Sequence, residues 1–207
     1  LTKIFQVDIL IHQPLKKKSD MLKFISNREV SEKLGIKLAK WKRWSRELLP
    51  PDPLGGLQSG YARQYNPADA FTVYLGGHLI ADLKYTVPES RQILADLHDW
   101  LVRHGFYFDP IQPALNPDIG RLIQAYQIYI QPDAEPVNGL YGFHYVIRGI
   151  LSTAPAQYKG LPVHQEFRSE STLPENQTLP PLHQWRHAKL LNVSALHNRF
   201  TTFLNHG

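Results

Sequence analysis

Apolar residues recur at helical spacing through the first half of this chain and at strand spacing through the second. Ser26, with Glu29 three residues on, has the form of a capping box. Val30 and Leu34 follow at i, i+4 and Gly35 stops the pattern, which predicts a short helix over about 27–34. A second helix starts near Lys37. Leu38, Trp41, Trp44 and Leu48 share one sector, while Lys42, Arg43 and Arg46 fall opposite and Lys40 lies near the boundary. Pro50 and Pro51 end it. Asn66-Pro67-x-Asp69 supplies an N-cap, a first-turn proline and an acid at the positive end of a third helix. Its expected buried face is Phe71, Tyr74, Leu75, His78 and Leu79, and Gly76-Gly77 is expected to permit close packing. Thr86-Val87-Pro88-Glu89 opens a fourth helix, with Ile93, Leu94, Leu97, Trp100 and Leu101 inward and Gly105 as its C-cap.

After Gly105 the period changes. Leu122–Ile130 and Leu140–Leu151 are rich in Ile, Val and Tyr, with the turn pair Asn138-Gly139 between them. Residues 163–170 suggest a third strand, and prolines at 155, 162, 174 and 180–181 punctuate the region. A final helix is expected over about 186–204. Val193, Leu196, Phe200 and Phe203 form a stripe on it that either packs on the sheet or pairs with a second subunit. The fold class is therefore α+β: a four-helix N-terminal unit over 21–104, then a small antiparallel β-rich unit over 105–207 ending in a helix. Residues 1–20, "LTKIFQVDILIHQPLKKKSD", stand apart. Met21 follows as the single methionine, so this stretch is read either as a non-native or disordered leader or as a basic arm.

Charge sharpens the division. The chain has 207 residues and a net charge of +5. Residues 21–95 carry +4 of this and residues 96–207 carry −1. An excess confined to one part suggests an anionic partner for that part, and nucleic acid is the commonest such partner. Lys37, Lys40, Lys42, Arg43 and Arg46 fall within ten positions and no carboxylate interrupts them. Lysine and arginine there can neutralise phosphates or read guanine edges. The two tryptophans are read as core anchors in preference to base-stacking platforms, since they share a face with Leu38 and Leu48. The absence of cysteine excludes disulfides, thiolate catalysis and sulfur-bound metal. No apolar run approaches the length of a bilayer span.

Two short helices joined at a glycine, the second basic outside and apolar inside, have the pattern of a helix-turn-helix. In order, "FISNREVSEKLGI", "KLAKWKRWSRELLPP", "GYARQYNPADA" and "KYTVPESRQIL" resemble the DNA-binding domain of MerR-type transcriptional regulators over about residues 24–95. The resemblance implies a winged helix-turn-helix in a bacterial, cytoplasmic homodimer that binds double-stranded DNA and regulates transcription. RNA polymerase and a small-molecule effector would be further partners, and no cofactor is implied. It also implies phosphate contacts from Tyr61 and Arg63 in a wing built from residues 51–65, and from Arg28 at the start of the first helix. The chain departs from the family in having no Gly before Leu48-Leu49, and in Ala62 separating Tyr61 from Arg63. The family's long dimerisation helix is interrupted here by Gly105 and "FYFDPIQP".

Other chemistry is thin. His183 and His187 are four apart, a spacing that could offer two imidazoles to a metal, but Gln184 stands where a zinc protease would carry Glu. His164 and Glu166 alternate onto one strand face. No G-x-S-x-G, P-loop or G-x-G-x-x-G occurs, so no enzyme is expected and the second half is read as a sensing or oligomerising module. Two alternatives stand beside the regulator: an architectural or excisionase-like DNA-binding protein, and a metal- or ligand-binding protein with a non-DNA partner.

Overall fold

The computed structural model describes residues 24–52, 62–107, 125–133, 142–174 and 182–205. The fold is α+β, with five α-helices and two antiparallel sheets among these residues. Strand β1 (Ile25–Ser26) leads into α1 (Asn27–Lys33) and α2 (Leu38–Leu48). Strand β2 (Gln64–Tyr65), α3 (Pro67–Ala81) and α4 (Val87–Arg103) follow. The second half contains β3 (Ala125–Pro132), β4 (Phe143–Tyr158), β5 (Leu161–Leu173), β6 (Lys189–Leu191) and α5 (Val193–Asn205). No helix is long and apolar enough to cross a membrane among the described residues.

The helix starts follow their local chemistry. The Ser26 hydroxyl accepts from the Glu29 N–H at 3.3 Å, and Asn66 Oδ1 accepts from the Asp69 N–H at 2.7 Å. Thr86 and Glu89 close a full capping box. Gly35 ends the first helix at φ +65°, a conformation glycine adopts without the steric cost a Cβ would bring, and Ile36 N–H returns to Ser31 O at 2.9 Å.

Helix α3 is the centre of the helical layer. The expectation of one buried face falls short: Ala70, Phe71, Val73, Tyr74, Leu75, Gly76, Gly77 and Leu79 are all buried, because α2, α4, α5 and β2 surround the helix. A helix that is apolar all round belongs inside. The close packing expected at Gly76-Gly77 is present, since an added Cβ would come within 2.3 Å of the Trp44 ring at Gly77 and 2.5 Å of Leu48 at Gly76.

The four-stranded sheet has the order β5-β4-β3-β6, each pair antiparallel. The first two strands predicted in the second half correspond to β3 and β4; the Asn138-Gly139 turn lies outside the described residues. The third, expected over 163–170, extends to all of β5. The helix predicted from 186 begins at Val193 instead, because Lys189–Leu191 pairs with Tyr129 and its neighbours as the edge strand β6. Among the described residues no break in packing marks the boundary expected at 104–105. One apolar cluster runs from Ile25 and Trp41 through Phe71 and Trp100 to Ile128, Tyr145 and Phe200. Phe71 and Phe200 meet at 5.2 Å between ring centroids, and Trp100 and Tyr126 at 5.0 Å.

Candidate nucleic-acid interface

Helix α2 divides as its sequence suggests. Trp41 is fully buried and Trp44 nearly so, with Trp41 edge-on to Tyr65 at 5.6 Å. These rings fix the helix on the core, in agreement with the reading of both as anchors. Leu38 departs from it: the first residue of the helix, it stays 38 % exposed.

The opposite side is a surface of cations. Lys37, Lys40, Lys42, Arg43 and Arg46 are all exposed. Lys37, Lys42, Arg43 and Arg46 have no hydrogen-bond or ion-pair partner for their side chains among the described residues. Lys40 Nζ lies 4.6 Å from the Trp44 ring centre, a cation–π contact that holds its charge near the helix. The nearest carboxylate on the helix, Glu47, is engaged by Arg91 of α4 at 3.4 Å.

The structure distributes these residues over two depressions. Lys42 and Arg46 line a cleft of about 650 Å³ together with Asn27, Ser45, the Pro50-Pro51 exit, Asp52, Arg63 and Tyr65. Lys40 and Arg43 line the other side of the helix with Glu47, Ile80 and Val87. Lys37 occupies the N-cap position of α2. Arg28 lies on α1, ion-paired to Glu32 at 2.8 Å, and does not line either depression. Tyr61 and most of the expected 51–65 hairpin lie outside the described residues.

Arg63 is built into the cleft wall. Its Nη1 donates to Pro50 O at 2.9 Å, and its guanidinium sits 5.8 Å from the Tyr65 ring centre. It thereby ties the double-proline exit of α2 to β2. Beneath it, the Tyr65 hydroxyl joins three elements, with Asn27 Oδ1 at 2.6 Å and Ser45 Oγ at 2.8 Å. The single Tyr65 proton serves one of these bonds, and the Ser45 hydroxyl supplies the proton for the other. Burial pushes the Tyr65 pKa up, opposed by the Ser45 hydrogen bond and the Arg63 charge. Burial also raises the Asp69 carboxyl, opposed by Arg63. This floor went unseen in the sequence, since Asn27, Ser45 and Tyr65 are far apart along the chain and carry no motif.

A second polar cleft, of about 610 Å³, lies between α4 and the sheet. The Tyr145 hydroxyl donates to Asp96 Oδ2 at 2.6 Å, and Gln92 Nε2 donates to Asp96 Oδ1 at 2.6 Å. Burial, then the Asp96 contact, pushes the Tyr145 pKa strongly up. His144 Nε2 and Asp133 Oδ1 are 2.5 Å apart in the same cleft. The Tyr145–Asp96 bond ties α4 to the sheet. The histidine pair proposed from spacing does not form a helical metal site. His183 sits in a three-residue 3-10 helix, Leu182–Gln184, and His187 lies beyond it in irregular chain. No group of three or more potential metal ligands occurs among the described residues. Glu166 lies 3.8 Å from Arg168 on that strand face, so its ion pair is with arginine.

Comparison of the chain with protein-family models, with curated proteins and with solved structures finds no match.

Proposed function

We propose that the chain is a sequence-specific DNA-binding transcriptional regulator of the MerR-like winged helix-turn-helix type, acting as a homodimer. The reading takes α1 and α2 as the helix-turn-helix and residues 62–65 as the returning limb of the wing. The observation that carries it is the unpartnered cation surface of α2 on a helix whose other side is locked into the core. A protein gains little from carrying four unpaired cations on one short helix unless a polyanion answers them, because like charges on one helix repel. The helix has the width to enter a major groove, and Arg63 adds a cation at the cleft wall. Phosphate contacts supply affinity through counterion release, and an arginine fork supplies discrimination.

The test is a titration of Lys42→Ala, Arg43→Ala and Arg46→Ala on a selected duplex and on a scrambled one, at two salt concentrations. A phosphate contact weakens binding equally on both and lowers the salt slope by about one. A base contact costs roughly 1–3 kcal/mol on the selected duplex only. Unchanged affinity in all three folded variants removes the assignment from this helix.

A further inference from the structure

The hairpin β4–β5 has an apolar face that the described residues of its own chain leave uncovered. Past Ile150, after an irregularity at Leu151, the ribbon is exposed on both sides at most positions up to Glu170. Lys159 and Gly160 turn it, both at positive φ as a two-residue hairpin turn requires. Tyr158, Leu161, Val163 and Phe167 share one face, and they are 62, 66, 38 and 49 % exposed. A free two-stranded ribbon is marginal in water, and an apolar face on it calls for a cover.

β5 is also the outer strand of its sheet. Every second residue of it turns N–H and C=O to the open edge. Pro162 has no N–H to give β4, which places it on the open side together with His164, Glu166, Arg168 and Glu170. Charges on an edge normally guard it against pairing. Here their order does the reverse. Laid antiparallel on a second β5 about Phe167, the midpoint of Leu161–Leu173, each Glu166 faces Arg168 of the second copy. Each His164 then faces Glu170, and Phe167 faces Phe167. Centring the pair on residue 166 or 168 sets Glu166 on Glu166 or Arg168 on Arg168. The described arm from 151 to 170 has no net charge, with Lys159 and Arg168 against Glu166 and Glu170, so nothing in it attracts a polyanion. The helix stripe that was the other candidate for pairing is largely used internally: Val193 is fully buried and Phe200 is 2 % exposed.

We infer that β5 is a homodimerisation strand. Two copies join edge to edge, antiparallel, about Phe167, so that one continuous sheet runs through both. The pairing satisfies the open backbone groups of His164, Glu166, Arg168 and Glu170, leaves only the Pro162 end without a donor, and brings the apolar faces of the two arms side by side. It deepens the homodimer of the proposed function, and a monomeric chain would remove both, but it stands on the arm alone and is separate from DNA binding by α2.

Charge reversal and a cysteine probe test it on the full chain. Sedimentation equilibrium of the wild type should give twice the 23.8 kDa chain mass. Glu166→Arg sets arginine on Arg168 twice across the axis and should weaken association roughly tenfold or more. Adding Arg168→Glu restores opposite charges and should return the dimer. Phe167→Cys gives the chain its only cysteine, opposite its own copy at about 4.5 Å between Cα atoms, within disulfide reach. Mild oxidation should cross-link it, while Ser171→Cys, which faces Val163 of the second copy, should stay uncross-linked. A wild type of 23.8 kDa in the high micromolar range overturns the inference. So does a dimer that Glu166→Arg leaves intact and Phe167→Cys fails to capture. Either result leaves titration of the α2 variants on DNA as a separate question.

Discussion

Helix α2 and strand β5 are both amphipathic, and the fold treats them in opposite ways. On α2 the apolar side is buried against α3 and α4, so Trp41 keeps none of its surface and the cations are left outside. On β5 the apolar residues Leu161, Val163, Phe167 and Leu173 also share one face, interrupted by Gln165, Ser169 and Ser171, yet Phe167 keeps 49 % of its surface. An amphipathic pattern states that an element requires a cover. It does not state whether the cover belongs to the same chain. Where the chain supplies it, the apolar residues become core and the polar side is free to bind. Where the chain does not, the apolar side itself becomes the surface that seeks a partner.

The largest effect that sharpens this contrast is on stability. Trp41→Ala should cost roughly 3–5 kcal/mol in denaturant unfolding, the loss for a buried aromatic ring. Phe167→Ala should cost under about 0.5 kcal/mol in the dissociated chain, as at other exposed positions. Similar losses at both sites would break the comparison. Next comes Gly77→Ala. Alanine favours a helix by up to about 1 kcal/mol over glycine, but here its Cβ meets the Trp44 ring, and overpacking costs roughly 1–3 kcal/mol. Net destabilisation in thermal melts is expected, and a gain in stability would show that the α2–α3 contact yields.

A smaller effect concerns Tyr65→Phe. It strips the hydroxyl shared by Asn27 and Ser45, both buried, and should cost about 1–2 kcal/mol measured by urea unfolding. Under the proposed function the same change should lower DNA affinity, since Tyr65 lines one cleft with Lys42 and Arg46; full affinity would separate the floor from the proposed interface. The smallest effect is a pH dependence. Burial lowers the His197 pKa below the ordinary value, between Phe71 and Phe106. The unfolded chain therefore takes up this proton before the folded chain does. Stability is full above about pH 6.5 and declines as the pH falls through that value. His197→Leu should flatten that acid-side slope, and an unchanged slope would place the proton elsewhere.

Much of the helical half was legible because its signals are local. A cap bonds to a residue three positions away, so Ser26, Asn66 and Thr86 mark their helix starts without reference to the rest of the fold. Trp41 and Trp44 could be assigned inward because both lie on one face of a single helix. The candidate site was legible in part for the same reason: the cations of α2 are neighbours in sequence. Its other wall was not. Arg63 reaches Pro50, and Tyr65 reaches Asn27 and Ser45, through pairing between β1 and β2 that no short window of sequence contains.

By itself, then, the sequence determined where helices begin, which tryptophans go inward, where positive charge gathers, and that the second half is antiparallel sheet. Each of these depends on residues a few positions apart. Only the tertiary structure decided that α3 is enclosed on all sides, that Lys189–Leu191 is a strand, and that one core joins both halves. It also decided that the apolar face of β5 stays outside. Periodicity records which side of an element is apolar, but burial depends on what the rest of the chain places against that side.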